Sequence, residues 1–181
     1  CHTNPDHAKA FEAFFDKYQI SHSQQEFEDH MYGKHNGYIM SHFFNRPIAG
    51  EELKKLEDEK ESMFREIYKD KVETIPHYLP FLDELKSRGF KTAVATSAPR
   101  ANLDLIINAL KIEDKMDSMM ASQDVQNHKP DPEVYLKSAE RVGVSPSDCV
   151  VFEDSFSGVT AGLNAGMKVV GVLSSHTKAQ L

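Results

Sequence analysis

Apolar positions in the first third of the chain recur at three- and four-residue intervals, with dense Glu and Lys between them. Phe11, Phe14, Phe15 and Tyr18 mark one face of a helix for which Asn4 is a suitable N-cap and Pro5 a suitable first residue. A turn around Ser21 and Ser23 leads to a short helix through Phe27 and Met31, and a glycine-flanked junction at residues 32–37 leads to another carrying Ile39, Met40, Phe43 and Phe44. Over residues 51–68, Leu53, Leu56, Met63, Phe64 and Ile67 lie near one face, and the charges around them read as a solvated surface. Residues 6–71 are therefore expected to form a small α-helical domain.

From Thr74 the period changes. A helix opening at Pro76 places Leu79, Leu82 and Leu85 inward and ends at Gly89. Short apolar runs at residues 90–95, 118–121, 149–152 and 168–173 read as strands. Between them lie helical patterns through Leu103, Ile106 and Leu110, through Val134, Tyr135 and Ala139, and over residues 159–165. Strands alternating with helices specify an α/β fold with a parallel, Rossmann-like sheet and right-handed crossovers. The expected division is a helical domain over 1–73 and an α/β core over 74–181.

A net charge of −7 argues against a nucleic-acid partner, because binding the phosphate backbone needs clustered cations. With 40% hydrophobic residues and no stretch of about 20 apolar ones, no membrane span or signal-peptide core is expected, and the cytoplasm is the default location. Cys1 and Cys149 make no disulfide framework, and Cys149 reads as a buried thiol. The nine histidines are scattered, none at the i, i+4 spacing of a zinc helix; His35 and His42 could share a helix face. A monomer is favoured.

Candidate chemistry lies where strands end, since open parallel sheets bind ligands beyond their carboxyl edges. Thr96 and Ser97 follow the first strand and offer hydroxyls and amides to phosphate oxygens, or simply cap the next helix. Lys129 precedes Pro130, which biases it to an extended conformation suited to holding an ammonium over a site; a solvated surface lysine is the rival reading. Glu153 and Asp154 end the strand through Phe152. Two adjacent carboxylates there repel unless a cation or hydrogen bonds offset them, and hard oxygen ligands suit Mg²⁺ bridging to a phosphate; Asp154 could instead cap the following helix.

Ala93-Val94-Ala95-Thr96-Ser97, Lys129-Pro130-Asp131-Pro132 and Val151-Phe152-Glu153-Asp154-Ser155, with Gly158, resemble the second, third and fourth motifs of the haloacid dehalogenase-like hydrolases. The helical segment ahead of Pro76 resembles the inserted cap of the β-phosphoglucomutase-like phosphatase branch. The resemblance implies that Thr96 binds the transferring phosphoryl group, that Lys129 bridges it to the nucleophile, and that Glu153 and Asp154 position Mg²⁺. It further implies a phosphatase for a small phosphate ester, working through an aspartyl-phosphate intermediate under a closing cap. Lys34, His35 and Asn36 in the cap loop become candidates for substrate contact, as does His7; a structural turn and a helix-surface histidine are the respective rivals.

The family places Asp-x-Asp on an apolar strand just before the cap, and Cys1-His2-Thr3-Asn4-Pro5-Asp6-His7 resembles the segment after that motif. Asp6 has no apolar strand before it and is not assigned as nucleophile. The expectation is an incompletely represented chain whose core lacks its first strand and which shows almost no turnover as it stands. Two alternatives remain. A β-phosphoglucomutase carries an arginine in the cap loop where this chain has Asn36, which favours hydrolysis; the other alternative is a non-catalytic phosphate- or metal-binding module.

Overall fold

A computed structural model of the protein describes residues 3–31 and 34–174 together with Thr177 and Ala179; Cys1, His2, Tyr32, Gly33 and Leu181, which enter the sequence reading, lie outside the described residues. Two compact units result, a helical one over Thr3–Lys71 and a second that takes in Val72–Leu181.

The helical unit holds α1 (Asn4–Lys17), α2 (Gln24–Met31), α3 (Asn36–Phe43) and α4 (Gly50–Tyr68), with α1 packed along α4. Its core is aromatic: Phe11, Phe14, Phe15, Phe27 and Phe43 are buried with Ile39, Met40 and Leu56, and the rings of Phe15 and Phe43 lie 4.4 Å apart. Helix α2 starts where the Ser23 hydroxyl accepts the Glu26 amide at 3.1 Å, a side-chain cap for one of the amides that a helix start leaves unpaired. Helix α1 begins at Asn4 itself, so Asn4 is not the cap; Thr3 precedes it without a side-chain capping bond.

The charged run of α4 is not wholly solvated. Lys60 and Glu61 are buried at 2% and 6% exposure. The Lys60 ammonium lies 2.5 Å from the Glu61 carboxylate, 3.2 Å from His7 Nδ1 and 4.4 Å above the Phe11 ring. Buried charges persist only when paired in this way. Asp6 on α1 is likewise buried and accepts from Lys71 at 3.0 Å, joining the two ends of the unit.

In the second unit, α5 (Tyr78–Ser87) starts two residues after Pro76, because His77 adopts a left-handed φ of +65° that a helix cannot include. Gly89 follows α5 with φ +79°, a conformation that a residue with a Cβ takes at a cost. Then come β1 (Ala93–Ala95), α6 (Arg100–Leu110), β2 (Ser118–Met120), α7 (Glu133–Val142), β3 (Val150–Glu153), α8 (Phe156–Asn164) and β4 (Lys168–Gly171). All pairing is parallel. β1 runs with β2, Ala95 opposite Met120, and β3 runs with β4, Glu153 opposite Gly171.

Among the described residues these are two separate two-stranded sheets, so β1 and β3 each keep one edge without a strand partner. Val151 packs inward with Ala161, Ala165 and Met167, whereas Val150 and Phe152 on the other face are about half exposed, Phe152 meeting the Phe81 ring at 5.5 Å. Cys149 is half-buried rather than enclosed, its Sγ 3.4 Å from the Ser145 carbonyl.

Candidate active site

Three chain segments converge at the carboxyl ends of the strands. After β1, the Thr96 amide donates to the Met120 carbonyl at 3.0 Å, and the Thr96 hydroxyl accepts from the Ala98 amide at 3.1 Å. That hydroxyl still has its own hydrogen to donate. Ser97 is exposed at the bend and has no intramolecular hydrogen-bond partner among the described residues. The start of α6 is less open than the sequence suggests, because the Arg100 amide donates to Gln123 Oε1 at 2.9 Å.

The loop before α7 is pinned from both sides. Glu133 accepts the Gln126 and Asn127 amides at 3.1 and 2.8 Å, while Asn164 Nδ2 donates to the Pro130 carbonyl at 3.2 Å. The Lys137 ammonium and these amides bring the Glu133 carboxyl down to about 2. The Lys129–Pro130 peptide is cis. The Lys129 side chain is 7% exposed. Its ammonium donates to the Ala95 carbonyl at 3.1 Å and to Glu153 Oε1 at 2.5 Å, 4.6 Å above the Tyr135 ring. Lys129 thus joins the end of β1 to the end of β3.

Glu153 is surrounded by donors. Oε1 accepts from Lys129 and, at 2.9 Å, from the Tyr135 hydroxyl. Oε2 accepts the Asp154 amide at 3.0 Å, the Ser155 amide at 3.1 Å and the Ser155 hydroxyl at 2.9 Å. Burial works to raise its pKa, but the Lys129 charge and the hydrogen bonds outweigh it and hold the carboxyl low. A carboxylate offers roughly four acceptor positions, and here they are filled. The sequence makes Glu153 a candidate metal ligand beside Asp154; in the structure both of its oxygens already accept hydrogen bonds from the protein. Gly158 explains how the group fits, since a Cβ at that position would coincide with the Glu153 carboxylate.

Asp154 accepts from the Ser174 hydroxyl at 2.7 Å. It does not cap α8; Ser155 does, accepting the Gly158 amide at 3.1 Å. Among the described residues no group of three or more His, Cys, Asp or Glu side chains is placed to hold a metal ion. The donor set still fits a hard cation that keeps most of its waters, with Asp154 as the protein oxygen.

Tyr135 and Ser174 escape sequence reasoning. Tyr135 occupies a core position in the α7 pattern, and its only distinguishing mark is the hydroxyl that core packing does not need. Nothing in the sequence around Ser174 connects it with Asp154.

The remaining candidates belong to the helical unit. Lys34 is exposed, 5.7 Å from the Tyr38 ring centre. His35 caps α3 by accepting the Tyr38 amide at 3.2 Å, while His42 stacks on His30 at 3.8 Å. Asn36 hydrogen-bonds Glu57, whose pKa burial raises. His7 faces inward, stacked at 3.8 Å on Phe64, and burial with the Lys60 charge lowers its pKa to about 4.

A family model described as haloacid dehalogenase-like hydrolase matches residues 1–172. A haloacid dehalogenase-like hydrolase domain-containing protein of Arabidopsis thaliana is 35% identical over 92% of this chain and 56% of its own length. The phosphorylated carbohydrates phosphatase of Thermotoga maritima is 39% identical over 67% of this chain and 55% of its own. The chain thus spans little more than half of these two relatives. The crystal structure of a β-phosphoglucomutase from Clostridium difficile superposes with a TM-score of 0.79 at 25% identity, covering 98% of this chain and 80% of that one.

Proposed function

The chain belongs to the haloacid dehalogenase-like hydrolases, and from that membership we propose that it contributes the phosphoryl-binding and metal-binding part of a Mg²⁺-dependent phosphatase for small phosphate esters. One observation carries the proposal: Lys129, almost enclosed, ties the strand end before Thr96 to the strand end that bears Asp154. Thr96 and Asp154 each directly follow a residue that Lys129 bonds, which supports the grouping of hydroxyl, ammonium and carboxylate that phosphoryl transfer asks of a protein.

In this reading Thr96 and Ser97 donate to the oxygens of the transferring phosphoryl group, and Lys129 offsets their charge. Asp154 would hold Mg²⁺, which when bound supplies further neutralisation of phosphate oxygens. Glu153 acts behind them, fixing the Lys129 ammonium. An aspartyl-phosphate intermediate belongs to the same reading, its nucleophile being none of the residues assigned here. Lys34, His35 and Asn36 remain candidates for substrate contact, Lys34 foremost because it is exposed and charged. His7 leaves that set, since its ring is engaged by Phe64 and Lys60.

The relative named as a phosphorylated carbohydrates phosphatase supports trying sugar phosphates first. The full-length protein containing these residues is assayed for phosphate release from a sugar-phosphate panel, with Mg²⁺ or with chelator. Release in Mg²⁺ that stops in chelator is expected. Release that persists in chelator rejects the metal role, and conversion of β-glucose 1-phosphate to glucose 6-phosphate without phosphate release rejects hydrolysis in favour of a mutase.

A further inference from the structure

Tyr135 touches both members of the central ion pair. Its ring lies 4.6 Å beneath the Lys129 ammonium, and its hydroxyl donates to Glu153 at 2.9 Å, to the same oxygen that Lys129 reaches. The residue is 7% exposed, so both contacts are made away from bulk water. Burial and the neighbouring Glu153 charge raise the phenol's pKa, which keeps it a donor.

Lysine is a flexible chain ending in a point charge with rotatable donors, and a single carboxylate fixes its distance better than its direction. The aromatic face restricts the cation from a third side, beside the Glu153 carboxylate and the Ala95 carbonyl. A phenol hydroxyl on the shared oxygen holds the carboxylate as well. From this geometry we propose that Tyr135 is a positioning residue of the phosphoryl-transfer site, holding the Lys129 ammonium in register with the ends of β1 and β3. The proposal rests on the phosphatase reading for its functional meaning, though the positioning itself can be measured without turnover.

Two variants separate the ring from the hydroxyl: Tyr135→Phe keeps the cation contact, and Tyr135→Leu removes both. Lysine acylation with a soluble amine reagent, read by peptide mass spectrometry on the folded full-length protein, reports the freedom of Lys129 against Lys86 and Lys91. Labelling of Lys129 is expected to rise about twofold in the Phe variant and about tenfold in the Leu variant, the internal references staying constant. In the phosphatase assay Tyr135→Phe should lower kcat by about tenfold and leave KM within about twofold, because the residue acts through Lys129 rather than on substrate. If Tyr135→Leu fails to fold, the Phe variant decides alone. Unchanged Lys129 labelling overturns the proposal, even with lower thermal stability, and so does a change confined to KM. A wild-type protein that releases no phosphate defeats the phosphatase reading while the labelling still decides the positioning.

Discussion

The Lys129 ammonium lies 2.5 Å from the Glu153 carboxylate across a sequence separation of 24, with side chains only 7% and 12% exposed. Removing one partner leaves the other buried without its counter-charge. Glu153→Gln and Lys129→Met are each expected to cost about 3 kcal/mol of stability in urea unfolding. The double variant should lose clearly less than the sum, since one interaction is being removed twice. Strict additivity would show that the pair is not coupled.

Gly158→Ala reverses an ordinary preference. Alanine in an open helix gains about 1 kcal/mol over glycine, but here its Cβ would coincide with the Glu153 carboxylate. A loss of about 2 kcal/mol or more is expected, visible as a lower thermal midpoint. A variant as stable as the parent would mean that the carboxylate does not sit against this glycine.

The His7 pKa is lowered to about 4 by burial first and by Lys60 second. The unfolded chain, with an imidazole pKa near 6.5, takes up this proton before the folded one does. The contribution of His7 is therefore complete above about pH 6.5 and falls away as the pH drops toward about 4, by roughly 3 kcal/mol at most. His7→Gln should flatten that segment of the stability–pH curve, measured by urea unfolding at several pH values. An unchanged slope would place the titration elsewhere.

Asp154→Asn tests the metal assignment. The Mg²⁺ concentration for half-maximal phosphate release should rise about tenfold or more in the full-length protein, with Ser174→Ala giving a smaller rise. Since the Ser174 hydroxyl can still donate to an amide oxygen, the thermal midpoint should move little. Equal Mg²⁺ dependence in parent and Asn variant would remove Asp154 from the metal site.

Much of this was readable from spacing alone. Phe11, Phe14 and Phe15 announce the buried face of α1, and the polar residues that follow apolar runs mark the strand ends carrying Thr96 and Asp154. Other features depend on what arrives from elsewhere in the chain. Lys60 and Glu61 read as surface because helical periodicity carries no information about a histidine 53 positions away. Glu153 reads as a ligand because its own segment does not reveal Lys129 and Tyr135, donors 24 and 18 residues distant. The division of the strands into two pairs is likewise a matter of pairing, which apolar runs do not encode.

The Asp6–Lys71 contact closes residues 65 apart in sequence at 3.0 Å, where α1 and α4 already lie side by side. A helical unit whose first and last residues meet needs almost no linker to be spliced into another chain or cut out of one. Evolution and the bench are thereby given the same handle. The helices can be exchanged between hosts as one block, because both of their junctions fall at the same place.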